Sequence, residues 1–279
     1  MAEQKMTEHY AVIGNPINHS KSPLIHTEFA KQTGQDLDYI TRKIPLDDLT
    51  DGLKQLQAEG FKGINITVPF KEQAWQQVSD KSAHAQRAGA INTIIFNDDG
   101  TLRGDNTDGM GLCRDLINNH QIELKGKRLL LLGAGGAARG VIEPLLQYQP
   151  SSLFIANRTA SKATDLCTLF ADFSNVQGGG YDAISGSFDV IINATAASLN
   201  GEVPPLPDKV LSPNGICYDM MYSDSDTAFI TWAKQHGATK AIDGLGMLVE
   251  QAAISFRLWR GVQPDTQSVI MLIRQLKTV

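Results

Sequence analysis

Residues 125–146 read KGKRLLLLGAGGAARGVIEPLL, and the fold turns on the middle of that stretch. Residues 129–132 are an uninterrupted apolar run, the pattern of a strand buried on both faces. The run passes directly into Gly133, Ala134, Gly135, Gly136, Ala137 and Ala138, a GxGxxA spacing at the start of an expected helix. There, glycine permits a tight turn and close approach of backbone to a pyrophosphate, while unpaired N–H groups and the positive end of the helix dipole receive the anion. A plain glycine-rich turn is the competing reading. Strand, turn, helix and second strand follow in order within about 30 residues, the span of one βαβ unit, which favours a dinucleotide site.

The second strand of that unit, residues 152–158, ends at Asn157, Arg158 and Thr159, with Lys162 one turn further on. An NAD site wants an acid there, about 20 residues past the glycines, to bond the ribose hydroxyls. Asp165 already falls two turns into the next helix. A cationic fork suits a 2′-phosphate, so NADP(H) is favoured over NAD. The plainer alternative has residues 157–159 turning the chain, Thr159 or Ser161 capping the helix and Arg158 in water.

Beyond this unit, SKATDLCTLF (161–170), FDVIINAT (188–195), GICYDMMY (215–222), TAFITWAKQHG (227–237) and TKAID (239–243) continue as helix, strand, strand, helix and strand, in parallel-sheet order. The GGG at 178–180 signals a loop. Upstream, residues 10–13 form a strand that stops at Gly14, Asn15 and Pro16, and a helix opens near Pro23. A further extended run covers 37–44, and leucines at 46, 49, 53 and 56 keep helical spacing until Gly60. In FKGINITV (61–68), Ile64, Ile66 and Val68 share one strand face and Asn65 and Thr67 the other. A polar helix through Trp75, a strand at 90–96 and an NDDG turn follow. The order is βαβα, hence α/β. Two amphipathic segments, 247–261 and 265–276, close the chain.

The 279 residues suggest about two domains at roughly 150 residues each. Hydrophobic residues are 42% and charged residues 20%, enough apolar side chain for a packed core. A net charge of -5 without a basic run argues against a nucleic-acid partner. No stretch approaches the ~18 apolar residues of a membrane span, and MAEQKMTEHY lacks the apolar core of a secretory signal. A cytoplasmic location is expected. Cys113, Cys167 and Cys217 form no CxxC pair and read as core hydrophobes.

In the first half, Ser20, Ser22, Asn65, Thr67, Lys71, Asn92 and Asp108 make a looser polar constellation. Each has a plain structural reading: Ser22 as an N-cap before Pro23, Asp108 as a helix cap, Asn92 ending a turn, Lys71 solvated. Two features favour a site for a polyhydroxylated substrate. Asn65 and Thr67 give a polar face to a strand whose other face is apolar, and Lys71 lies beyond that strand's carboxyl end, where open α/β sheets bind ligands. Hydride exchange with an alcohol also needs a group to move the hydroxyl proton. The six histidines show no HExxH or other metal-ligand spacing, Ser198 is not in a GxSxG elbow, and no cysteine has an evident base. Tyr39 and Lys43, at i and i+4, fall in an extended run before the glycine motif and read as coincidence. Lys71, paired with Asp108, remains.

GNPINHSKSP (14–23), INITVPFK (64–71), GAINT (89–93), GDNTDG (104–109), GAGGAARG (133–140), NRT (157–159), NATAASLNGE (193–202), YDMMY (218–222) and DGLGMLVEQAA (243–253) occur in the order found in the shikimate dehydrogenase family, which the chain resembles over essentially its whole length. Thr27 and Ala83 depart from residues common in that family. The resemblance implies reversible NADPH-dependent reduction of 3-dehydroshikimate to shikimate in a cleft between two domains. It implies shikimate contacts from Ser20, Ser22, Asn65, Thr67, Lys71, Asn92, Asp108, Tyr222 and Gln251, with Lys71 and Asp108 catalytic. NADP(H) would be held by Gly133, Ala134, Gly135, Gly136, Ala137, Asn157, Arg158, Thr159, Lys162, Thr195, Met220 and Gly244. It also implies a discontinuous α/β substrate domain (1–107 and 245–279) around a Rossmann-type NADP domain (108–244). A monomer or homodimer is expected, and the histidine spacing predicts no metal. A quinate/shikimate dehydrogenase of relaxed cofactor use and a non-catalytic NADP(H)-binding sensor are the alternatives.

Overall fold

The computed structural model describes residues 7–173 and 175–276. It separates into two compact units, one running to Gly111 and resuming at Leu248, the other Leu112–Met247. The first unit holds β1 (Glu8–Gly14), α1 (Ser22–Thr33), β2 (Leu37–Lys43), α2 (Leu49–Ala58), β3 (Gly63–Ile66), α3 (Lys71–Gln77), β4 (Asp80–Lys81), α4 (Ala83–Ala88), β5 (Thr93–Phe96), β6 (Leu102–Asp105) and the start of α5 (Asp108–Arg114). Its sheet runs β2-β1-β3-β5-β6-β4, with β1 parallel to both neighbours and β5 antiparallel to β3 and β6.

Alternation along β1 explains how the sheet is covered. Ala11 and Ile13 join a core with Leu49, Leu53, Leu56, Ile64 and Ile66, while Tyr10 and Val12 pack with Ile17 and Tyr39 on the opposite face. Three local expectations are corrected. Leu46 precedes α2 and is exposed, so the apolar stripe begins at Leu49. Val68 is also exposed, because the chain leaves the sheet after Ile66 in a turn closed by Phe70 N–H on the Thr67 carbonyl. Ser22 lies inside α1, whose N-cap position is Lys21.

The buried face of α1 sets His26 among aromatic rings. Its imidazole stacks on Tyr39 at 4.1 Å and 5°, with Trp259 at 5.5 Å and Phe29 edge-on at 5.9 Å. Burial pushes the ring down to about 3, the Asn65 amide offsetting only part of the desolvation. Below the unfolded value near 6.5, the unfolded chain binds a proton that the folded chain refuses. Stability therefore rises with pH across the window from about 3 to about 6.5. Between about pH 5 and pH 6.5 this one group accounts for about 1–2 kcal/mol. His26→Phe is expected to flatten denaturant-derived stability by that amount across the interval; a slope equal to wild type would contradict the assignment.

The second unit contains β7 (Arg128–Leu132), α6 (Gly136–Gln147), β8 (Ser152–Ala156), α7 (Ala160–Leu169), β9 (Val176–Gly179), β10 (Phe188–Asn193), β11 (Leu211–Asp219), α8 (Ala228–Gln235) and β12 (Lys240–Ile242). All its strands are parallel, in the order β12-β11-β10-β7-β8-β9. This is a doubly wound sheet whose direction reverses between β7 and β10, the place where such sheets bind dinucleotides. Leu129–132 are wholly buried: Leu129 and Leu131 face a core with Val141 and Ile142, and Leu130 and Leu132 one with Phe188 and Phe229. Gly178 and Gly179 belong to β9 rather than a loop. A Cβ on Gly178 would meet Cys167 Sγ at 2.8 Å and the Ala163 carbonyl at 2.9 Å, so glycine lets α7 lie close on this edge strand.

Two closing helices, α9 (Leu245–Arg260) and α10 (Thr266–Leu276), carry the chain back into the first unit. Trp259 of α9 donates its indole N–H to the Ile94 carbonyl at 3.1 Å, beside Gly63, where any Cβ would strike the indole. Among the described residues no helix is long and apolar enough to cross a membrane.

Candidate active site

Motifs far apart in the chain meet in the first unit because its sheet is mixed. Antiparallel pairing sets Asn65 opposite Thr93, and Thr93 opposite Asp105. The connecting loops are tied by Ile66 N–H to the Asn92 carbonyl at 2.8 Å, Ile91 N–H to the Lys71 carbonyl at 2.9 Å, and Asn92 N–H to the Asp105 carbonyl at 3.0 Å. Residues 64–71, 89–93 and 104–109 therefore form one cluster.

Lys71 opens α3 and Asp108 opens α5. The Lys71 Nζ donates to Asp108 Oδ2 at 2.6 Å, with side-chain exposures of 15% and 6%. The ammonium is thus the reachable member of a largely desolvated pair, and its two remaining hydrogens can meet a bound oxygen. Asn92 Nδ2 donates to the other oxygen, Oδ1, at 2.7 Å. The Asp108 N–H donates to Asn106 Oδ1 at 3.1 Å, and Asn106 is anchored on the Ala90 carbonyl at 3.0 Å. Charge-assisted bonds to both carboxylate oxygens hold Asp108 in one orientation.

Around this pair, Gln251 of α9 places Oε1 at 3.4 Å from both Asn92 Nδ2 and Thr107 Oγ1, and Gly111 lets α5 pass, since a Cβ there would lie 2.7 Å from that of Gln251. Asn65 is buried: its Oδ1 accepts from the Tyr39 hydroxyl at 2.7 Å, and its Nδ2 faces Thr93 Oγ1 at 3.1 Å and Ser255 Oγ at 3.0 Å. Ser22 hydrogen-bonds the same Tyr39 hydroxyl, and Ser20 Oγ accepts from the Ser22 N–H at 3.3 Å. Thr67 is half-buried, its methyl seated where a Cβ on Gly14 would sit. A continuous polar network thus joins the serine loop to Lys71. Tyr222 lies in the second unit, half-buried past β11.

Sequence reasoning missed Tyr39, Thr93, Thr107 and Ser255. Tyr39 was set aside with Lys43, although its position in an alternating strand marks it as inward-facing. Ser255 carries one usable signal: it is one helical turn beyond Gln251, on the same face.

In the second unit the turn after β7 has the features of an anion cradle. Gly133 adopts φ +113, and a Cβ there would press on Thr195 Cγ2 at 3.1 Å. Gly135 is the N-cap of α6, with no side chain capping that end, and the space beside it is open. Among the described residues no side chain caps these helix N–H groups, and they are placed to receive an anion. Asn157 Nδ2 donates to the Thr159 carbonyl at 2.9 Å, holding the turn from which Arg158 and Lys162 extend, both exposed. Thr195 donates its N–H and hydroxyl to Asn193 Oδ1 at 3.1 and 2.8 Å. Asn193 Nδ2 in turn donates to Asp219 Oδ1 at 3.0 Å. Burial raises the Asp219 carboxyl, with hydrogen bonds from Thr227, Met221, Ser198 and Asn193 opposing the shift. Gly244 N–H donates to the Met221 carbonyl at 3.0 Å, and its missing Cβ makes room for the Met220 carbonyl. These residues fit a dinucleotide phosphate group. Among the described residues no cluster of His, Cys, Asp or Glu could hold a metal ion.

The chain matches three family profiles: the shikimate dehydrogenase substrate binding domain over residues 12–94, shikimate / quinate 5-dehydrogenase over 115–200, and the shikimate 5′-dehydrogenase C-terminal domain over 244–274. Shikimate dehydrogenase (NADP(+)) of Alkalilimnicola ehrlichii is 54% identical over 269 residues, covering 96% of this chain and 99% of the relative. That of Cellvibrio japonicus is 51% identical over 271 residues, 97% and 98% of the two chains. A crystal structure of shikimate 5-dehydrogenase from Thermus thermophilus in complex with NADP(H) and shikimate superimposes with a TM-score of 0.86 at 32% identity, covering 96% and 99%. With the lysine–aspartate pair in one unit, the phosphate cradle in the other and this identity along nearly the full length of both chains, the chain belongs to the shikimate dehydrogenase family.

Proposed function

We propose that the chain catalyses the reversible NADPH-dependent reduction of 3-dehydroshikimate to shikimate, a step toward chorismate and the aromatic amino acids. The observation that carries the reading is the 2.6 Å Lys71–Asp108 pair, desolvated on the carboxylate side and open on the ammonium side. NADP(H), when bound, supplies the hydride that joins substrate carbon 3 in reduction and leaves it in oxidation. Lys71 gives a proton to the oxygen as the carbonyl becomes an alkoxide, and takes it back in the reverse direction, so that ketone, NADPH and one proton balance alcohol and NADP+. Asp108, fixed by Asn92, holds Nζ in place. Ser20, Ser22, Asn65, Thr67, Asn92 and Gln251 order the substrate's hydroxyl and carboxylate groups in the first unit. In the second unit the backbone of residues 133–137 would hold the pyrophosphate, Asn157, Arg158, Thr159 and Lys162 the 2′-phosphate and its ribose, and Thr195, Met220 and Gly244 the nicotinamide half.

Initial rates with shikimate or quinate, each with NADP+ or NAD+, test this reading. Turnover is expected with shikimate and NADP+, and to fall steeply when either partner is exchanged. Equal rates with quinate and NAD+ would replace the reading with a relaxed quinate/shikimate dehydrogenase, and no turnover in any combination would leave only a nucleotide-binding protein.

A further inference from the structure

Ser255 sits in the middle of α9, fully buried, and its hydroxyl touches four segments of the first unit. It lies 2.8 Å from Thr93 Oγ1, 3.0 Å from Asn65 Nδ2, 3.2 Å from Thr107 Oγ1 and 3.1 Å from the Gln251 carbonyl one turn back. A serine inside a helix ordinarily returns its proton to that carbonyl. Here a proton count around the cluster gives it another destination.

Thr93 Oγ1 has one hydrogen, which goes to Asn92 Oδ1 at 2.8 Å. The 2.8 Å contact between Thr93 and Ser255 is then filled by the Ser255 hydrogen, in preference to the longer 3.1 Å contact with the Gln251 carbonyl. Asn65 Nδ2 donates into the Ser255 oxygen, so the hydroxyl receives from one side and gives to the other. The resulting chain runs Asn65 to Ser255 to Thr93 to Asn92, each donor feeding the next acceptor. Its last bond, together with the Thr107 N–H at 2.9 Å, saturates Asn92 Oδ1. That commits the amide's other end, Nδ2, with its two hydrogens, to Asp108 Oδ1 at 2.7 Å and Thr107 Oγ1 at 2.9 Å. A flipped Asn92 amide would instead set an oxygen against the carboxylate.

We infer that Ser255, acting through Thr93, is a positioning residue for the Lys71–Asp108 pair: its hydroxyl fixes the Asn92 amide so that Asp108 is held by a donor on the side away from Lys71. The inference rests on the assignment of Lys71 and Asp108 as the catalytic pair. Without the Ser255 hydroxyl, the Thr93 oxygen loses its 2.8 Å donor and its own hydroxyl is held less firmly on Asn92 Oδ1, so Asn92 samples orientations that leave Asp108 misaligned. The loss falls on the chemical step rather than on substrate binding.

The experiment compares kcat and KM for shikimate oxidation by the full-length wild type, Asp108→Asn, Ser255→Ala, Thr93→Val and Thr93→Ser, and repeats Ser255→Ala in an Asn92→Ala background. Ser255→Ala and Thr93→Val are expected to lower kcat about 5- to 20-fold, a partial loss of a positioned acid/base group's contribution, with KM within about twofold. Thr93→Ser, which keeps the hydroxyl, is expected to restore kcat. In the Asn92→Ala background Ser255→Ala is expected to cost nothing further, because both act through one bond. Unchanged kcat in Ser255→Ala, or an undiminished loss in the Asn92→Ala background, overturns the inference while leaving the catalytic pair intact. Wild-type turnover that survives Asp108→Asn overturns the catalytic pair itself. Thermal melts separate folding from chemistry: a melting temperature lowered with kcat unchanged marks Ser255 as structural only and also overturns the inference.

Discussion

Replacing Lys71 with alanine is expected to lower kcat for shikimate oxidation by about 10²- to 10⁴-fold, the usual contribution of a positioned proton-transfer group. KM for shikimate is expected to move by only a few fold, since Ser20, Ser22, Asn65, Thr67 and Gln251 remain. The alanine variant also strips Asp108 of its counter-charge, and an uncompensated buried carboxylate destabilises by about 3–5 kcal/mol. Lys71→Arg separates the two effects. Arginine keeps a cation against Asp108 but does not release a proton at accessible pH, so it should recover stability and not rate. Either variant retaining more than about a third of wild-type kcat would remove Lys71 from the chemistry.

Arg158→Ala is expected to cost a charge-assisted contact of about 1.5–3 kcal/mol, or about 10- to 150-fold in kcat/KM for NADPH. The rate with NADH should be unchanged, because NADH has no 2′-phosphate for the side chain to meet. Arg158 is exposed, so its removal leaves no buried hole, and the comparison between the two nucleotides reads the contact directly. The loss should also shrink as salt rises. Equal loss with both nucleotides would mean that Arg158 supports the turn after β8 rather than the phosphate.

The nucleotide-binding unit was legible because its decisive element is local. Residues 129–132 are apolar throughout since β7 is covered on both faces, and the glycines follow within one turn. The first unit was less legible. Leu102–Asp105 is four residues long and carries Arg103 and Asp105, so nothing in its periodicity announces β6; its pairing with β5 is what brings Asp108 toward Lys71. Gly178 and Gly179 resemble a loop by composition and are strand because α7 lies against them. The residue types of the candidate site could be read one by one, but not their partners. Tyr39 and Asn65 are 26 positions apart and Asn65 and Ser255 are 190 apart, and no local pattern encodes a contact over such distances. Family motifs carry Lys71 and Asp108 together, but the partners that hold them come from segments joined only by the folded sheet.

Shikimate carrying deuterium at carbon 3, turned over with NADP+ and followed by mass analysis of the reduced nucleotide, tests whether hydride leaves that carbon with Lys71 moving the hydroxyl proton. The deuterium is expected to appear in the nucleotide, and Lys71→Arg to suppress its appearance in proportion to kcat. Reduced nucleotide without deuterium, or undiminished transfer in Lys71→Arg, would contradict this chemistry.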